Sequence, residues 1–235
     1  MSSKPSAYSV RPEVDFLGQV RRHQRRNVLV FLAEGLTSSF CWGFIESPVF
    51  AAYLLSLGWS GLMVQTATSA YLFAWYVPMV LFVPLIERRK GRVGPLIRYC
   101  VPNRLVLVVL ALSAWGAGAW GAGAGLAGVW VAIGVLVLTG GGVHVCWQDL
   151  NSRVVLPSVR GLYVGSRLVI VTVGVVSTGL VTYAFVGSAT LGEAHAAPPA
   201  AFAWPFTVGA IVFLAALPML LLFREPIPDG DPPPW

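Results

Sequence analysis

The sequence predicts an all-α membrane protein with six transmembrane helices. Of its 235 residues, 56% are hydrophobic and only 11% are charged, and the mean hydropathy is +0.73. Soluble domains carry about a quarter charged residues, so this composition argues against a water-soluble globule. The apolar content excludes a disordered chain. Three scattered cysteines, an odd number, exclude a small disulfide scaffold. A single membrane domain is therefore expected.

Six apolar stretches are long enough to cross a bilayer, which takes about 20 residues as an α-helix. In chain order they cover residues 28–57, 61–86, 96–115, 126–146, 162–186 and 202–223. Helices are expected because a backbone in lipid must pair its polar groups within its own segment, and no ten-residue alternating barrel pattern is present. Prolines inside these stretches, such as Pro78 and Pro84, are expected to bend the helices without ending them.

Lysine and arginine residues occur on one side of this pattern only. They precede the first span, lie at the junction of the second and third and of the fourth and fifth, and follow the sixth. The other connections, 58–60, 116–125 and 187–201, contain none. By the positive-inside rule, both termini are cytoplasmic and the protein spans the plasma (inner) membrane. The net charge of +6 is then a topological signal, and no nucleic-acid partner is expected.

The chain ends are polar and are expected to lie outside the six-span unit of residues 28–225. Residues 1–27 form a basic cytoplasmic tail. Part of this tail, near residues 14–20, forms either a short surface helix on the anionic inner leaflet or a disordered segment. Residues 226–235 are rich in proline and are expected to form an extended cytoplasmic tail.

The tryptophans divide by depth into two groups. At the outer ends of spans, a tryptophan ring favours the headgroup level; this group is Trp59, Trp115, Trp120 and Trp204. The deeper group is expected to serve in packing or to line a cavity; it is Trp42, Trp75 and Trp130.

Three segments, in the correct order, resemble the major facilitator superfamily. After the second span, Arg89 to Arg92 match the R-x-G-R part of the family signature, although Arg88 stands where the family has an acid. Residues 147–167 resemble the family's fourth-to-fifth connection, and residues 223–226 resemble the exit from its sixth span into the central linker. The chain thus resembles the N-terminal six-span half of a facilitator transporter.

The resemblance implies two three-helix inverted repeats and transport of a small solute by alternating access. The family has two six-span halves, so this half-size unit is expected to need a second bundle, either another copy or a separate chain. The open alternative is a non-transporting, facilitator-derived subunit of a larger membrane complex. Transport predicts polar residues that converge on a cavity and an open face for a second bundle. A structural subunit predicts that the same face is covered by unrelated helices, pigment or lipid.

Ionisable side chains inside the spans are the candidate substrate or proton-coupling residues, because each costs at least ~2.5 kcal/mol at a helix centre. Glu34 on the first span and His144 on the fourth share a depth, and the resemblance implies that both spans line the central cavity. We expect the two to face each other as a proton-coupling pair. The alternative for His144 is a satisfied histidine in the core.

Glu46 lies about 18 Å further along the first span than Glu34, at 1.5 Å per residue. Its carboxylate is expected to bind a cationic substrate or a proton. Alternatively, it accepts a hydrogen bond from Thr68 or Ser69 of the second span and only fixes the packing. Under the structural-subunit alternative, Glu34, Glu46 and His144 all serve as internal packing contacts.

Charged residues at the cytoplasmic ends form the predicted gating latch: Arg88, Arg89, Arg92, Asp149 and Arg160. The family uses a carboxylate at the position of Asp149 to hold the basic loop, so we expect Asp149 to pair with Arg89 or Arg92. Ordinary charge balance at the headgroups is the alternative.

Three further cations within the spans are expected to reach the headgroups with their long side chains. They are Arg98, Arg104 and Arg167.

Glycine and alanine are concentrated at two places, near Trp120 and at residues 140–142. Small residues allow transmembrane backbones to approach closely. Three consecutive glycines also weaken a helix and can act as a hinge. Close packing is the preferred interpretation.

No motif for an enzyme, cofactor or metal is visible. The sequence has no phosphate-binding glycine loop after a strand, no H-E-x-x-H and no Ser-His-Asp arrangement. Cys41, Cys100 and Cys146 lack metal-ligand spacing. We therefore expect a protein that is not an enzyme, has no cofactor, and has the lipid bilayer as its first partner.

Overall fold

The structure, a computed structural model, describes residues 11–46, 48–187 and 197–226. These described residues contain helices and connections and no strand. Residues 1–10 of the basic tail and 227–235 of the Pro-rich tail lie outside the described residues. The all-α class predicted from the sequence is confirmed for these residues.

The described part of the chain forms eight α-helices and three short 3-10 segments. The α-helices are α1 (Arg11–Glu46), α2 (Pro48–Ser56), α3 (Gly61–Tyr76), α4 (Met79–Glu87), α5 (Val93–Trp120), α6 (Ala122–Val154), α7 (Arg160–Val186) and α8 (Ala203–Ala215). The 3-10 segments are Pro157–Val159, Pro199–Phe202 and Leu217–Leu222.

Five segments in the described part are long and apolar enough to cross a membrane. They are Phe16–Ser56, Val93–Trp120, Ala122–Val154, Pro157–Val186 and Pro199–Leu222. Each includes the core of one stretch predicted from the sequence, so five of the six predicted helical stretches are present at this coarse level.

The stretch predicted as the second span, 61–86, is divided into α3 and α4. The expectation that its prolines only bend the helix is wrong at Pro78, because Val77 and Pro78 separate two helices. The last bond of α3 runs from the Val77 N–H to the Phe73 carbonyl at 3.0 Å, and Pro78 has no N–H to continue the series. Pro84, by contrast, lies inside α4 without ending it.

Helix α1 begins well before the apolar stretch and includes the basic segment of residues 11–27. Neither sequence-based alternative for this segment, a separate surface helix or a disordered tail, describes it. Its arginines at positions 21, 22, 25 and 26 are exposed, so the polar part of α1 presents charge along one continuous helix.

Helix α5 is central to the packing of the bundle. It lies against α6 and α8, whereas α3 and α4 pack on α6, and α7 packs on α1. Helices α5 and α6 are joined by the single residue Gly121, at φ +89°. Glycine adopts this left-handed region at no steric cost, so two long helices can reverse direction without a longer loop.

The four basic segments of the sequence meet at one end of the bundle. Asn27 and Arg224 exchange two hydrogen bonds, at 2.9 and 3.0 Å, between the start of the apolar part of α1 and the segment after α8. Connections without basic residues meet at the opposite end, where the rings of Trp115 and Trp204 are 5.5 Å apart. The charge pattern of the sequence therefore corresponds to the two ends of the fold, named here the basic end and the opposite end.

Candidate functional site

A cavity of about 270 Å³ lies between α1, α3, α6 and α7. Its wall includes all three residues predicted for substrate binding or proton coupling, Glu34 and Glu46 on α1 and His144 on α6. Arg167 of α7 also lines it. The fold thus brings the predicted intramembrane ionisable groups to one space, which is defined here as the polar cavity.

Glu34 is held in an almost completely buried ion pair with Arg104 of α5. The Arg104 Nη2 is 2.9 Å from Glu34 Oε1, and the Ser38 hydroxyl donates to the same oxygen. Glu34 is 5% exposed and Arg104 is 1% exposed. We name Glu34 and Arg104 the buried pair.

Arg104 also connects the buried pair to α8. Its Nη1 donates to the Phe213 carbonyl at 2.7 Å, and its guanidinium carbon lies 4.7 Å from the centre of the Phe213 ring. Charge-assisted bonds of this kind are stronger than neutral ones. A single cation therefore joins α1, α5 and α8 near the wall of the polar cavity.

Two expectations about these residues are wrong. Arg104 does not extend to the headgroups, because it points into the protein and its charge is met by Glu34. Glu34 and His144 line the same cavity without forming a pair, since the carboxylate is engaged by Arg104 and Ser38. A signal for Arg104 did exist: it lies about 17 Å along α5 from the first helical residue, too deep for an easy reach to the surface.

His144 lies among aromatic rings on the wall of the polar cavity. The centres of the Trp75 and Tyr76 rings are 5.8 and 5.6 Å from the centre of the imidazole. Its Nε2 is 3.4 Å from Nε2 of Gln148, one turn further along α6. This position leaves His144 on the cavity wall in contact with α3.

Glu46, at the end of α1, accepts a hydrogen bond from α3. The Tyr71 hydroxyl donates to Glu46 Oε1 at 2.5 Å, and Trp75 Nε1 donates to the Tyr71 hydroxyl, also at 2.5 Å. Thr68, one of the two partners considered from the sequence, donates instead to the Val64 carbonyl at 3.0 Å. The actual partner lies one turn further along the same helix.

Arg167 occupies another part of the polar cavity wall. Its guanidinium carbon lies 5.7 Å from the centre of a Trp147 ring. Its charge interacts electrostatically with Glu34 and His144. The expectation that this side chain only reaches the headgroups leaves out its place in the cavity.

A second charged cluster lies at the basic end. Arg92 forms an ion pair with Asp149, and Arg153 lies 3.2 Å from Asp149 and 3.6 Å from Glu225. Arg92 is 3% exposed, whereas the Asp149 side chain is 33% exposed. The pairing of Asp149 with Arg92 is thus present, and its role as a latch stays a prediction. We name Arg92, Asp149, Arg153 and Glu225 the basic-end network.

Glu225 is the member of this network that sequence reasoning missed. Its Oε2 accepts the backbone N–H groups of Arg92 at 2.6 Å and of Val93 at 3.2 Å. These are donors at the start of α5, which have no partner within the helix. The carboxylate that caps α5 therefore comes from the segment after α8, more than 130 residues later in the chain.

The other predicted latch residues lie around this network. Arg89 provides the carbonyl that accepts from the Arg92 guanidinium, and its side chain lines a separate cavity of about 600 Å³ with Lys90 and Arg98. Arg88 is exposed. Arg160 donates to carbonyls at the end of α6 at 3.3 and 3.4 Å, so it fixes the α6–α7 connection and does not contact Asp149.

Within the part of the chain that the structure describes, no group of three or more His, Cys, Asp or Glu side chains could hold a metal ion. The three cysteines are buried free thiols.

The chain matches no family model, no curated protein and no solved structure.

Proposed function

We propose that the protein transports a small solute by alternating access, as a half-size facilitator-type unit that works with a second six-helix bundle. The observation that carries the proposal is the polar cavity, which is lined by Glu34, Glu46, His144 and Arg167. Each of these groups costs free energy within lipid. Their convergence is what a solute pathway requires and what packing alone does not.

The proposal includes six crossings, with α3 and α4 acting together as one broken crossing. Two observations support this: both helices pack along α6, and the basic segments meet at one end of the bundle. The positive-inside rule then puts that end, and both termini, on the cytoplasmic side of the inner membrane. Broken helices beside a midplane site are common in transporters.

The need for a second bundle is supported by the helices that flank the polar cavity. Only 17% of the most apolar stretch of α7 is buried inside the protein. Large apolar side chains are exposed on α7, among them Leu168, Val169 and Leu180, and on α3, among them Leu72 and Phe73. The polar cavity thus lies between helices that have apolar surface available for a partner.

Glu34 is the proposed proton-coupling residue. When its carboxylate is charged, it holds Arg104, which in turn holds the Phe213 carbonyl of α8. Protonation of Glu34 would remove the charge that Arg104 needs and weaken the connection between α1, α5 and α8. A proton taken up from the cavity would in this way change the packing of the bundle.

The competing function, a non-transporting subunit of a larger complex, is favoured by the burial of Glu34 and Arg104, which suits a purely structural contact. The particle obtained by mild detergent extraction separates the two. Transport predicts the chain with a second six-helix bundle, and a structural subunit predicts unrelated chains or pigments. Chemical cross-linking followed by mass determination measures this directly.

The test of transport uses proteoliposomes with a pH-sensitive dye inside, to which amino acids, sugars, carboxylates and organic cations are added outside. We expect one of these classes of compound to cause proton entry in vesicles that contain the native protein. Because Glu34→Gln alone leaves Arg104 unpaired, the informative variant is Glu34→Gln with Arg104→Gln, which keeps the charge balanced. This double variant should lose proton entry, whereas Glu87→Gln, outside the cavity, should keep it. Proton entry in the double variant would refute the coupling role of Glu34, and no entry with any compound would refute proton-coupled transport.

A further inference from the structure

We infer that the Glu46 end of the polar cavity binds the ammonium group of a small organic cation, and that such cations are the substrate class. This inference rests on the proposed transport function and adds the chemistry of the ligand. It is carried by the placement of one carboxylate among three aromatic rings, away from the cationic side chains of the cavity.

The first step concerns the partners of Glu46. Its carboxylate is held by a neutral donor, the Tyr71 hydroxyl, which is itself held by Trp75. The ion pairs among the described residues involve Glu34, Asp149 and Glu225, and none involves Glu46. A carboxylate at membrane depth without a protein cation is unfavourable. A cationic ligand supplies the missing charge.

The second step concerns the rings around Glu46. The ring centres of Trp42 and Trp75 are 5.0 Å apart, and their ring planes are inclined by 62°. The ring centres of Trp42 and Tyr71 are 6.3 Å apart, with ring planes inclined by 44°. The inclined rings therefore do not stack flat on one another. Trp42 and Trp75 both line the polar cavity. A cation near several electron-rich rings is attracted to their faces, and quaternary ammonium groups are often recognised in this way.

The third step separates Glu46 from the other charges of the cavity. Glu34 is matched by Arg104, and it lies about 18 Å from Glu46 along α1. Arg167 interacts with Glu34, His144 and the Trp147 ring, so its charge belongs to that other part of the cavity. The Glu46 end is therefore negative while the Arg167 end is positive. A small cation binds at the first without meeting the second.

The fourth step distinguishes an organic cation from a metal ion. Calcium and magnesium require about six oxygen ligands. Glu46 offers one carboxylate, and in the described part of the chain no acidic or thiol cluster is present that could complete a metal site. Indole and phenol rings suit a large, weakly hydrated ammonium group. The cavity volume of about 270 Å³ also fits a small organic molecule.

The test compares choline with 3,3-dimethylbutanol, which has the same shape but carbon in place of the charged nitrogen. Binding is measured by calorimetry on the full chain in detergent, with sodium chloride in the buffer. We expect choline to bind about tenfold or more tightly than its neutral counterpart, as a charge–ring site implies. Equal binding, or binding of neither compound, would overturn the inference with no variant needed.

Matched variants locate the site. Glu46→Gln should weaken choline binding about tenfold or more. Trp42→Leu should weaken it several-fold, because it removes a ring while leaving the Glu46–Tyr71–Trp75 hydrogen bonds intact. Glu87→Gln, a carboxylate at the basic end, should leave the dissociation constant unchanged. Circular dichroism checks that each variant is folded. If Glu46→Gln and Glu87→Gln bind choline equally well, the assignment of the site is wrong.

Choline uptake into proteoliposomes separates this inference from the proposed function. Binding that depends on Glu46, without uptake, would support the cation site and refute its role as a transport-substrate site. Proton-coupled uptake of another solute class, with no choline binding, would support transport and refute the cation site.

Discussion

The buried pair and the basic-end network both join three parts of the bundle through an arginine, but they differ in exposure. Glu34 and Arg104 are almost completely buried, and among the described residues each forms its ion pair with the other. The basic-end network has two carboxylates and two arginines; its Arg92 and Glu225 side chains are buried, but Asp149 is one-third exposed. Loss of one partner from a buried pair leaves an unpaired charge in a medium of low dielectric constant. In the network, water and the remaining partners compensate.

The comparison teaches that the number of ion pairs is a poor guide to their importance. The network contains three carboxylate–arginine contacts and the buried pair only one. Exposed ion pairs contribute about 0–1 kcal/mol, whereas breaking a buried pair costs about 3–5 kcal/mol. We therefore expect the single buried contact to dominate stability, and the network to control smaller differences between conformations.

The largest expected effect is that of Arg104→Met. It leaves Glu34 without a cation, and we expect the free energy of unfolding to fall by about 3–5 kcal/mol. Equilibrium unfolding in mixed detergent and SDS micelles, followed by tryptophan fluorescence, measures the change. The matched control is Arg98→Met on the same helix, where the side chain is exposed and the change should be near zero.

The double variant Glu34→Gln with Arg104→Met sharpens this prediction. Because it removes both charges, it should recover much of the stability that Arg104→Met loses. If the double variant is as unstable as the single one, the cost lies in the packing around Arg104, and the contrast between the two charged clusters disappears.

The next effect is that of Asp149→Asn in the basic-end network. It removes the carboxylate that pairs with Arg92 and Arg153, and we expect a loss of about 1–2 kcal/mol, between an exposed pair and a bond to a buried charge. If Asp149 acts as a latch, the variant should also increase the labelling of Cys41, which is fully buried in the described conformation. A thiol reagent and mass spectrometry measure the labelling rate.

Unchanged labelling of Cys41 together with reduced stability would leave Asp149 with a structural role only. A stability loss as large as that of Arg104→Met would show that exposure does not separate the two clusters.

The smallest effects concern Glu225, where charge and hydrogen bonding can be separated. Glu225→Ala removes the acceptor for the N–H groups of Arg92 and Val93, and we expect a loss of about 1 kcal/mol, typical of a helix cap. Glu225→Gln keeps a carbonyl oxygen and should cost less than half as much. The same unfolding measurement compares them. Equal losses would mean that the charge, and not the cap, is what Glu225 contributes.

The sequence was informative about helices and their ends because these depend on local composition. Apolar stretches of about 20 residues predicted six long helices, of which five are present, and the arginine pattern predicted which connections meet at the same end. The pairing of Asp149 with Arg89 or Arg92 was expected from the resemblance to the facilitator family, and the ion pair is formed with Arg92.

The buried contacts were less predictable because they depend on how distant helices pack. Arg104 and Glu34 are 70 residues apart in the chain, and helical periodicity does not tell which helices become neighbours. Glu225 caps α5 from the far end of the chain for the same reason. The break at Pro78 was foreseen only as a bend, and the backbone there lies close to α6.

At that break, Gly141 of α6 lies so close that an added Cβ would come within 2.8 Å of the Met79 nitrogen. Helix α6 continues without interruption through Gly140, Gly141 and Gly142, which are all buried. Close packing is therefore present at these glycines, and a hinge there stays a prediction.

Helix α1 has a mechanical consequence. At 1.5 Å per residue, Arg11–Glu46 forms a rod of about 54 Å, well beyond the roughly 30 Å thickness of the hydrocarbon. The arginine-rich portion of α1 and the carboxylates at 34 and 46 belong to this one continuous helix. A tilt imposed on the arginine-rich portion, by anionic lipids or by a bound molecule, would therefore also displace both carboxylates, because the helix between them is uninterrupted.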